Sequence, residues 1–521
     1  MLATNKKRFL PAAVLTGLLV CHAPAMADGS PKNLFLMISD GASFGTWDMG
    51  SLSQHGATAS TSYFGADFSK YLMTTYALNT SKTPTGGHVA EVGYDPDQAW
   101  DSTPNTTTGF NAISYRNKNA TDSAAAATAM ATGTKTYNNA MNWDNDPAGT
   151  GSPITPTIAE LSKQSGKTVG TISTVQWTHA TPAGFSNAHN ISRNDYVGIA
   201  NAMLEGDTMD VIMGAGHPWY NNDNKPTTSA PNYNYVGGAE TWDALYSGTH
   251  ANGWTLVQHK AEFDDLADGD GLYKGQNLPD RVLGTAKVAS TLQQSRSGYA
   301  ANDPAYDDPM NTDVPDLTTM TMAAINVLDA KSKASGDKGF FLHVEGGAID
   351  WAAHGNQTSR IIEEQVDFNN AVDAVISWIE ANDGWENNLL VITTDHGNAM
   401  PMGADARSIF MDRIGLEDIS GTPDITWFSG SHANELVPLF ARGAGSELFA
   451  DLVDGVDPYF GLYYQDWAET GFDGRYVDNT DIFTVMSAGM QSTSPVPEPN
   501  SLLLAVSGLL LWSAAGRRQR A

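Results

Sequence analysis

The residues of this chain that could carry chemistry stand where short apolar runs end. Asp40 closes NLFLMISDGAS, and Glu345, Asp350 and His354 lie in FFLHVEGGAIDWAAHGN. Asp395 and His396 are adjacent in VITTDHGN, and His432 stands in SGSHANELVPLF. Asp350 and His354 are four apart, so a helix would place them on one face. Each has an ordinary reading when taken alone: Asp-Gly after a strand makes a turn, and a single His near a core is simply hydrogen-bonded. Converging on one sheet edge, such a crowd of acids would be strained by mutual repulsion, which divalent cations relieve. Mixed Asp/His sets suit zinc, and Glu/Asp/Thr sets suit magnesium. A nucleophile candidate lies in ATDSAAAATAMATGTKTYNNAM, where Ser123 opens an Ala-rich helix. Its hydroxyl would face unpaired amide hydrogens and the positive end of the helix dipole, a ready anion site. No Ser-His-Asp arrangement is evident, but a bound zinc would stabilise the alkoxide directly. The ordinary reading of Asp122-Ser123 by itself is a helix N-cap.

The elements that must position these residues are legible as an alternation. Near-continuous apolar runs over 33–40, 168–174, 210–216, 339–347, 389–396 and 436–442 predict strands buried on both faces. Helical patterns lie between them, over 122–131, 157–165, 316–334 and 359–382. Such alternation predicts an α/β fold, a three-layer α/β/α sandwich around a mostly parallel central sheet. Ligands of such folds gather at the carboxyl ends of the strands, where the Asp, Glu and His residues fall. From 217 to 315 the texture turns to Asn, Asp, Tyr, Gly and Pro with little periodicity, which predicts a surface insertion within a catalytic domain spanning 28–493. His343, between Leu342 and Val344 of a predicted strand, reads as a buried structural histidine.

Taken together, these motifs resemble the metal-dependent alkaline phosphatase family over most of residues 32–443. Asp122-Ser123-Ala124 matches the family's nucleophile motif, and THATPAGFSNAHNISRNDY, residues 178–196, is similar to its second block. The resemblance implies a set of roles. Ser123 would be the nucleophile, Arg193 would clamp the phosphate, and Asp122 would orient Arg193. Two Zn2+ and one Mg2+ would be cofactors. Asp350, His354 and His432 would hold one zinc, and Asp40, Asp395 and His396 the other beside Ser123, while Asp40, Thr181 and Glu345 would hold the magnesium. The reaction implied is hydrolysis of small phosphate monoesters by two in-line displacements through a phosphoserine. At two tuning positions the chain has His179 and Trp351 where the enterobacterial form has Asp and Lys, a pair that resembles marine bacterial enzymes. Many relatives are homodimers, so a homodimer is expected. A phosphodiesterase or nucleotide pyrophosphatase of the same superfamily is disfavoured by Thr181, Glu345 and Arg193. A sulfatase would need a modified Cys or Ser in another motif. A non-catalytic surface module would have no use for so many ligands in one place.

The two ends read as addresses. Lys6-Lys7-Arg8, an apolar run from Phe9 to Val20 and Ala25-Met26-Ala27 form the pattern of a secretory signal peptide over 1–27. Residues 494–521 hold VPEPNSLLLAVSGLLLWSAAGRRQR, which resembles the PEP-CTERM sorting signal handled by exosortases of Gram-negative bacteria. Signal peptidase and exosortase are therefore expected partners during export to the periplasm, the cell surface or the extracellular matrix. The only cysteine, Cys21, falls in the signal segment, so a processed chain would have neither disulfides nor thiolate ligands. Between the two ends stand 57 acidic and 23 basic residues. So acidic a body repels phosphate backbones and anionic membranes, which argues against nucleic-acid binding.

Overall fold

The computed structural model describes residues 30–490 apart from 147, 302 and 489. The expected signal peptide and the C-terminal sorting segment lie outside the described residues. The apolar runs fold as strands of one eleven-stranded sheet: β1 (Asn33–Ile38), β2 (Ser69–Thr74), β3 (Thr168–Gln176), β4 (Val211–Ala215), β5 (Thr255–Val257), β6 (Val282–Thr285), β7 (Phe340–Glu345), β8 (Asn388–Thr393), β9 (Val437–Gly443), β10 (Gly455–Val456) and β11 (Arg475–Asp478). Their order across the sheet is β10-β11-β2-β9-β8-β1-β7-β3-β4-β6-β5. From β8 to β5 every neighbouring pair is parallel, while β9 runs antiparallel to both β8 and β2.

Alternate residues of each central strand point to opposite faces, and both faces are apolar. Phe35 and Met37 of β1 join one core, whereas Leu34, Leu36 and Ile38 join another. On the first face lie α1 (Phe44–His55), α5 (Leu317–Ala334) and α7 (Thr358–Ala381), which contribute Trp47, Met320, Leu328, Ile361 and Phe368. On the second lie α2 (Ser123–Thr132), α3 (Ile158–Gln164) and α4 (Ala180–Gly184), which contribute Ala124, Ala127, Met130, Ile158 and Ala183. This is the expected three-layer α/β/α arrangement.

One expectation needs correction. The segment 217–315 is not confined to the surface, because it supplies β5 and β6, which extend the parallel sheet beyond β4. Helix Lys260–Ala267 packs there as well, with Phe263 fully buried over Gly284, where a Cβ would lie 2.6 Å from the Phe263 ring. Both strands are short, three and four residues, so they carry too little hydrophobic pattern to stand out from the polar loops around them.

Candidate metal centre and nucleophile

Register brings the acids together. Ile38 of β1 pairs with Glu345 of β7 on one side and Thr393 of β8 on the other, so Asp40, Glu345 and Asp395 emerge side by side at the strand ends. The turn after Asp40 requires glycine. Gly41 has φ +66°, a Cβ there would lie 2.6 Å from Asp350 Oδ1, and its amide donates to Asp395 Oδ1 at 3.0 Å. Helix α6 (Ala348–His354) follows β7 and turns Asp350 and His354 to one face, with His354 Nε2 3.4 Å from Asp350 Oδ2. His432, on the short strand His432–Ala433 that pairs with Gly397–Asn398, completes the group. Its Nε2 lies 3.1 Å from His354 Nε2 and 3.5 Å from Asp350 Oδ1.

Beside this set, His396 Nε2 lies 3.0 Å from Asp395 Oδ2 and 3.9 Å from Asp40 Oδ1. The His396 and His432 rings stack with centroids 3.7 Å apart, so His396 also stands within one ligand sphere of Asp350 and His432. On the far side of Asp40, Thr181 Oγ1 donates to Asp40 Oδ2 at 3.3 Å, and Ser173 donates to the Glu345 carboxylate. All the residues expected to hold metals are therefore gathered into three adjoining sets.

The sets are buried, except that His432 is partly exposed and the His354 ring sits half-exposed at the rim. Burial, then the charges of Asp395, Asp350 and Glu345, push the Asp40 carboxyl well above its usual range. Burial also pushes Glu345 up to about 7. Asp350 goes the other way, since the His432, His354 and His396 rings outweigh its burial and hold it below its usual range. Asp40 Oδ1 and Glu345 Oε1 are buried with no hydrogen-bond partner. Orphaned oxygens of this kind, in a basin of oxygen and imidazole donors, fit divalent cations. The second nitrogens of the imidazoles are already oriented: His432 Nδ1 is 2.8 Å from the Thr121 carbonyl and His354 Nδ1 is 2.7 Å from the Gly430 carbonyl. That fixes the ring tautomers so that each Nε2 offers a lone pair inward.

Ser123 faces the same basin. Asp122 is the N-cap of α2, with Oδ1 accepting from the Ala125 amide at 3.0 Å, which places Ser123 at the first turn. Ser123 Oγ lies 3.2 Å from His396 Nε2. Every residue of α2 is buried, and the helix sits close to α4: a Cβ on Gly184 would be 2.6 Å from that of Ala127. Oδ2 of Asp122 pairs with Arg193 Nη1 at 3.0 Å, and this charge outweighs burial and holds the guanidinium pKa above its ordinary value. Ser123, His179, Arg193, Gln294, Asp350, Trp351, His354 and His432 together line a cavity of about 350 Å³ open to solvent. His179 stands between Tyr196 and Trp351, with ring centroids 6.3 and 5.6 Å away. Burial, then the Arg193 charge, lower it to about 3.

A family model for alkaline phosphatase matches residues 73–421, two-thirds of the chain. The chain belongs to the alkaline phosphatase family. Alkaline phosphatase 3 of Bacillus subtilis is 32% identical over 407 residues, covering 65% of this chain and 76% of that protein. Alkaline phosphatase 4 of the same organism is 32% identical over 286 residues, 53% of this chain and 49% of the relative, so the match spans about half of that protein's length. Among solved structures, alkaline phosphatase from the Antarctic bacterium TAB5 shares the fold with a TM-score of 0.55 at 23% identity, over 88% of this chain and 98% of that one. Variants of that protein have been solved with Mg bound in an M3 site.

Residues that sequence reasoning missed contact these sets or line the cavity. Asn398 Nδ2 donates to Asp350 Oδ1 at 2.7 Å, Ser173 holds Glu345, and Gln294 lines the cavity. Ser173 lies inside an apolar strand and Gln294 inside the polar 217–315 segment, so neither stood out. His343 is the structural residue expected, fully buried, with Nδ1 2.9 Å from Thr171 Oγ1 and its ring stacked on Phe185.

Proposed function

We propose that this chain is a metal-dependent phosphomonoesterase that works through a phosphoserine on Ser123. The observation that carries the proposal is the position of Ser123. It stands at a helix N-terminus, 3.2 Å from His396, and shares one open cavity with Arg193 and with the Asp350, His354 and His432 set. Asp350, His354 and His432 would hold one zinc, and Asp40, Asp395 and His396 the other; Asp40, Thr181 and Glu345 would hold magnesium. When bound, these ions would neutralise the crowded acids and stabilise negative charge on the attacking and leaving oxygens.

The chain's own residues supply the rest. Asp122 holds Arg193 through Nη1, leaving the remainder of the guanidinium fork free to grip non-bridging phosphoryl oxygens. The Ala125 amide is taken by the Asp122 cap, so the Ser123 and Ala124 amides of the first turn of α2 would be the ones left for the phosphoryl group. Ser123 Oγ forms a bond to phosphorus as the ester oxygen–phosphorus bond breaks, and the Ser123 proton passes through the water of the open cavity to the leaving alkoxide. Water then breaks the Oγ–phosphorus bond, restoring Ser123 and releasing inorganic phosphate. Arg193 is the one guanidinium lining the cavity, and with the family membership it supports monoesters as substrates. Ser123→Ala is expected to remove nearly all turnover while zinc content stays at the wild-type level, and acid quenching of the wild type with substrate is expected to trap phosphate on Ser123. Near-normal turnover in the variant would refute the assignment.

Export is proposed on the two chain ends. Signal peptidase would remove residues 1–27, and an exosortase would handle 494–521, so that the protein acts on external organic phosphates at a Gram-negative surface, in the periplasm or in the matrix. A homodimer is proposed by family resemblance. Cell fractionation of the full chain and of a form lacking 494–521 tests the address: activity should shift from the cell surface to another fraction. An unchanged distribution would oppose it.

A further inference from the structure

The catalytic cavity, at about 350 Å³, is larger than one phosphoryl group needs, so part of its wall must meet the alcohol of the ester. Of its eight lining residues, Ser123, Arg193, Asp350, His354 and His432 already have places in the proposed nucleophile, phosphate clamp and zinc set. His179, Trp351 and Gln294 are left. Burial keeps His179 neutral, Trp351 offers an aromatic surface, and Gln294 is the one carboxamide in the lining. Gln294 is only 7% exposed, and the loop that carries it is firmly held. The Leu292 amide donates to the Thr174 carbonyl of β3 at 2.9 Å, and the Ser295 amide donates to Thr291 Oγ1 at 2.8 Å. Arg296, also buried, pairs with Glu363 of α7 at 2.8 Å.

The carboxamide itself is fixed as well. Its Nε2 donates to Gln357 Oε1 at 2.6 Å, and its Oε1 accepts from Ser295 Oγ at 2.7 Å. Gln357 comes three residues after His354 and directly before α7, which sets Gln294 beside the end of α6. A primary amide has two N–H donors and two acceptor lone pairs, and these contacts take one of each. One N–H and one lone pair are left on a rigid side chain that lines the substrate cavity. We propose that Gln294 is a specificity-determining residue, whose carboxamide hydrogen-bonds a hydroxyl on the alcohol part of the ester. Trp351 would pack against the carbon skeleton of that alcohol, so the preferred substrates are phosphate monoesters of small polyols and sugars. The inference rests on the phosphomonoesterase reading above and narrows its substrate class. A hydroxyl both donates and accepts, which matches what the amide has left. An apolar alcohol in the same place would strip water from the amide and return no hydrogen bond.

Glycerol 1-phosphate and propyl phosphate, which share a three-carbon alcohol and differ only in hydroxyls, test this on the full chain loaded with zinc and magnesium. The ratio of their kcat/KM values is the readout, because any loss common to both esters cancels. The wild type is expected to favour the glycerol ester, and Gln294→Leu to lower that ratio about fivefold, the effect of one hydrogen bond. A wild-type ratio near one would overturn the inference. So would a ratio unchanged in Gln294→Leu with both esters slowed alike, since that identifies Gln294 as a support of the loop alone. Either result leaves the phosphomonoesterase reading standing, whereas a wild type that cleaves neither ester overturns both. If Gln294→Leu fails to fold, Gln294→Met, which keeps the side-chain length and lacks the amide, supplies the ratio.

Discussion

Trp351 and His179 show how single residues set the character of the site. They form an aromatic wall to the cavity, and neither brings a lasting positive charge, because burial and Arg193 keep His179 neutral over the working range. A lysine at 351 would add a cation able to reach bound phosphate through water. Trp351→Lys is therefore expected to strengthen inhibition by inorganic phosphate about tenfold, the size of one charge-assisted contact of about 1.4 kcal/mol. An unchanged phosphate inhibition constant would remove Trp351 from any role in product release. At this scale the sequence was informative where a residue type is unusual for its surroundings. Acids and imidazoles at the ends of apolar runs, such as Asp40, Glu345 and Asp395, announce themselves. Ser173, Asn398 and Gln294 do not, because hydroxyls and amides are common everywhere and only the fold reveals that they touch Glu345, Asp350 and the cavity.

Helix α2 shows what an element adds. Its Ala-rich sequence lets it approach α4 closely, and Asp122 serves both as its N-cap and as the partner of Arg193. The two duties separate by mutation. Asp122→Asn keeps an amide oxygen for the cap and loses the ion pair, so KM for the phosphate ester should rise with little change in stability. Asp122→Ala loses both, and should also lower stability by about 1 kcal/mol. Steady-state kinetics and denaturant melts of the pair check this, and equal stability losses in both variants would contradict the dual role. Long central elements were legible because burial on both faces leaves a continuous apolar run, as in β1, β7 and β8. β5 and β6 were not, since three or four residues at a sheet edge leave no such run, and their place follows from long-range pairing with β4.

The molecule as a whole carries a formal charge of −29, which gives a phosphate ester no long-range attraction. On the proposed function, capture would then rest on the local field of Arg193, the first turn of α2 and the cations that Asp40, Glu345, Asp350 and Asp395 would hold. Under the same function, one Arg193-lined phosphoryl site with Ser123 as nucleophile would favour a terminal phosphate over a phosphodiester. The decisive measurement is hydrolysis of p-nitrophenyl phosphate against bis-p-nitrophenyl phosphate by the full chain, with and without a chelator. Monoester turnover should exceed diester turnover by orders of magnitude, vanish on chelation and return with zinc and magnesium. Equal or greater turnover of the diester, or monoester hydrolysis that survives removal of the metals, would contradict the account.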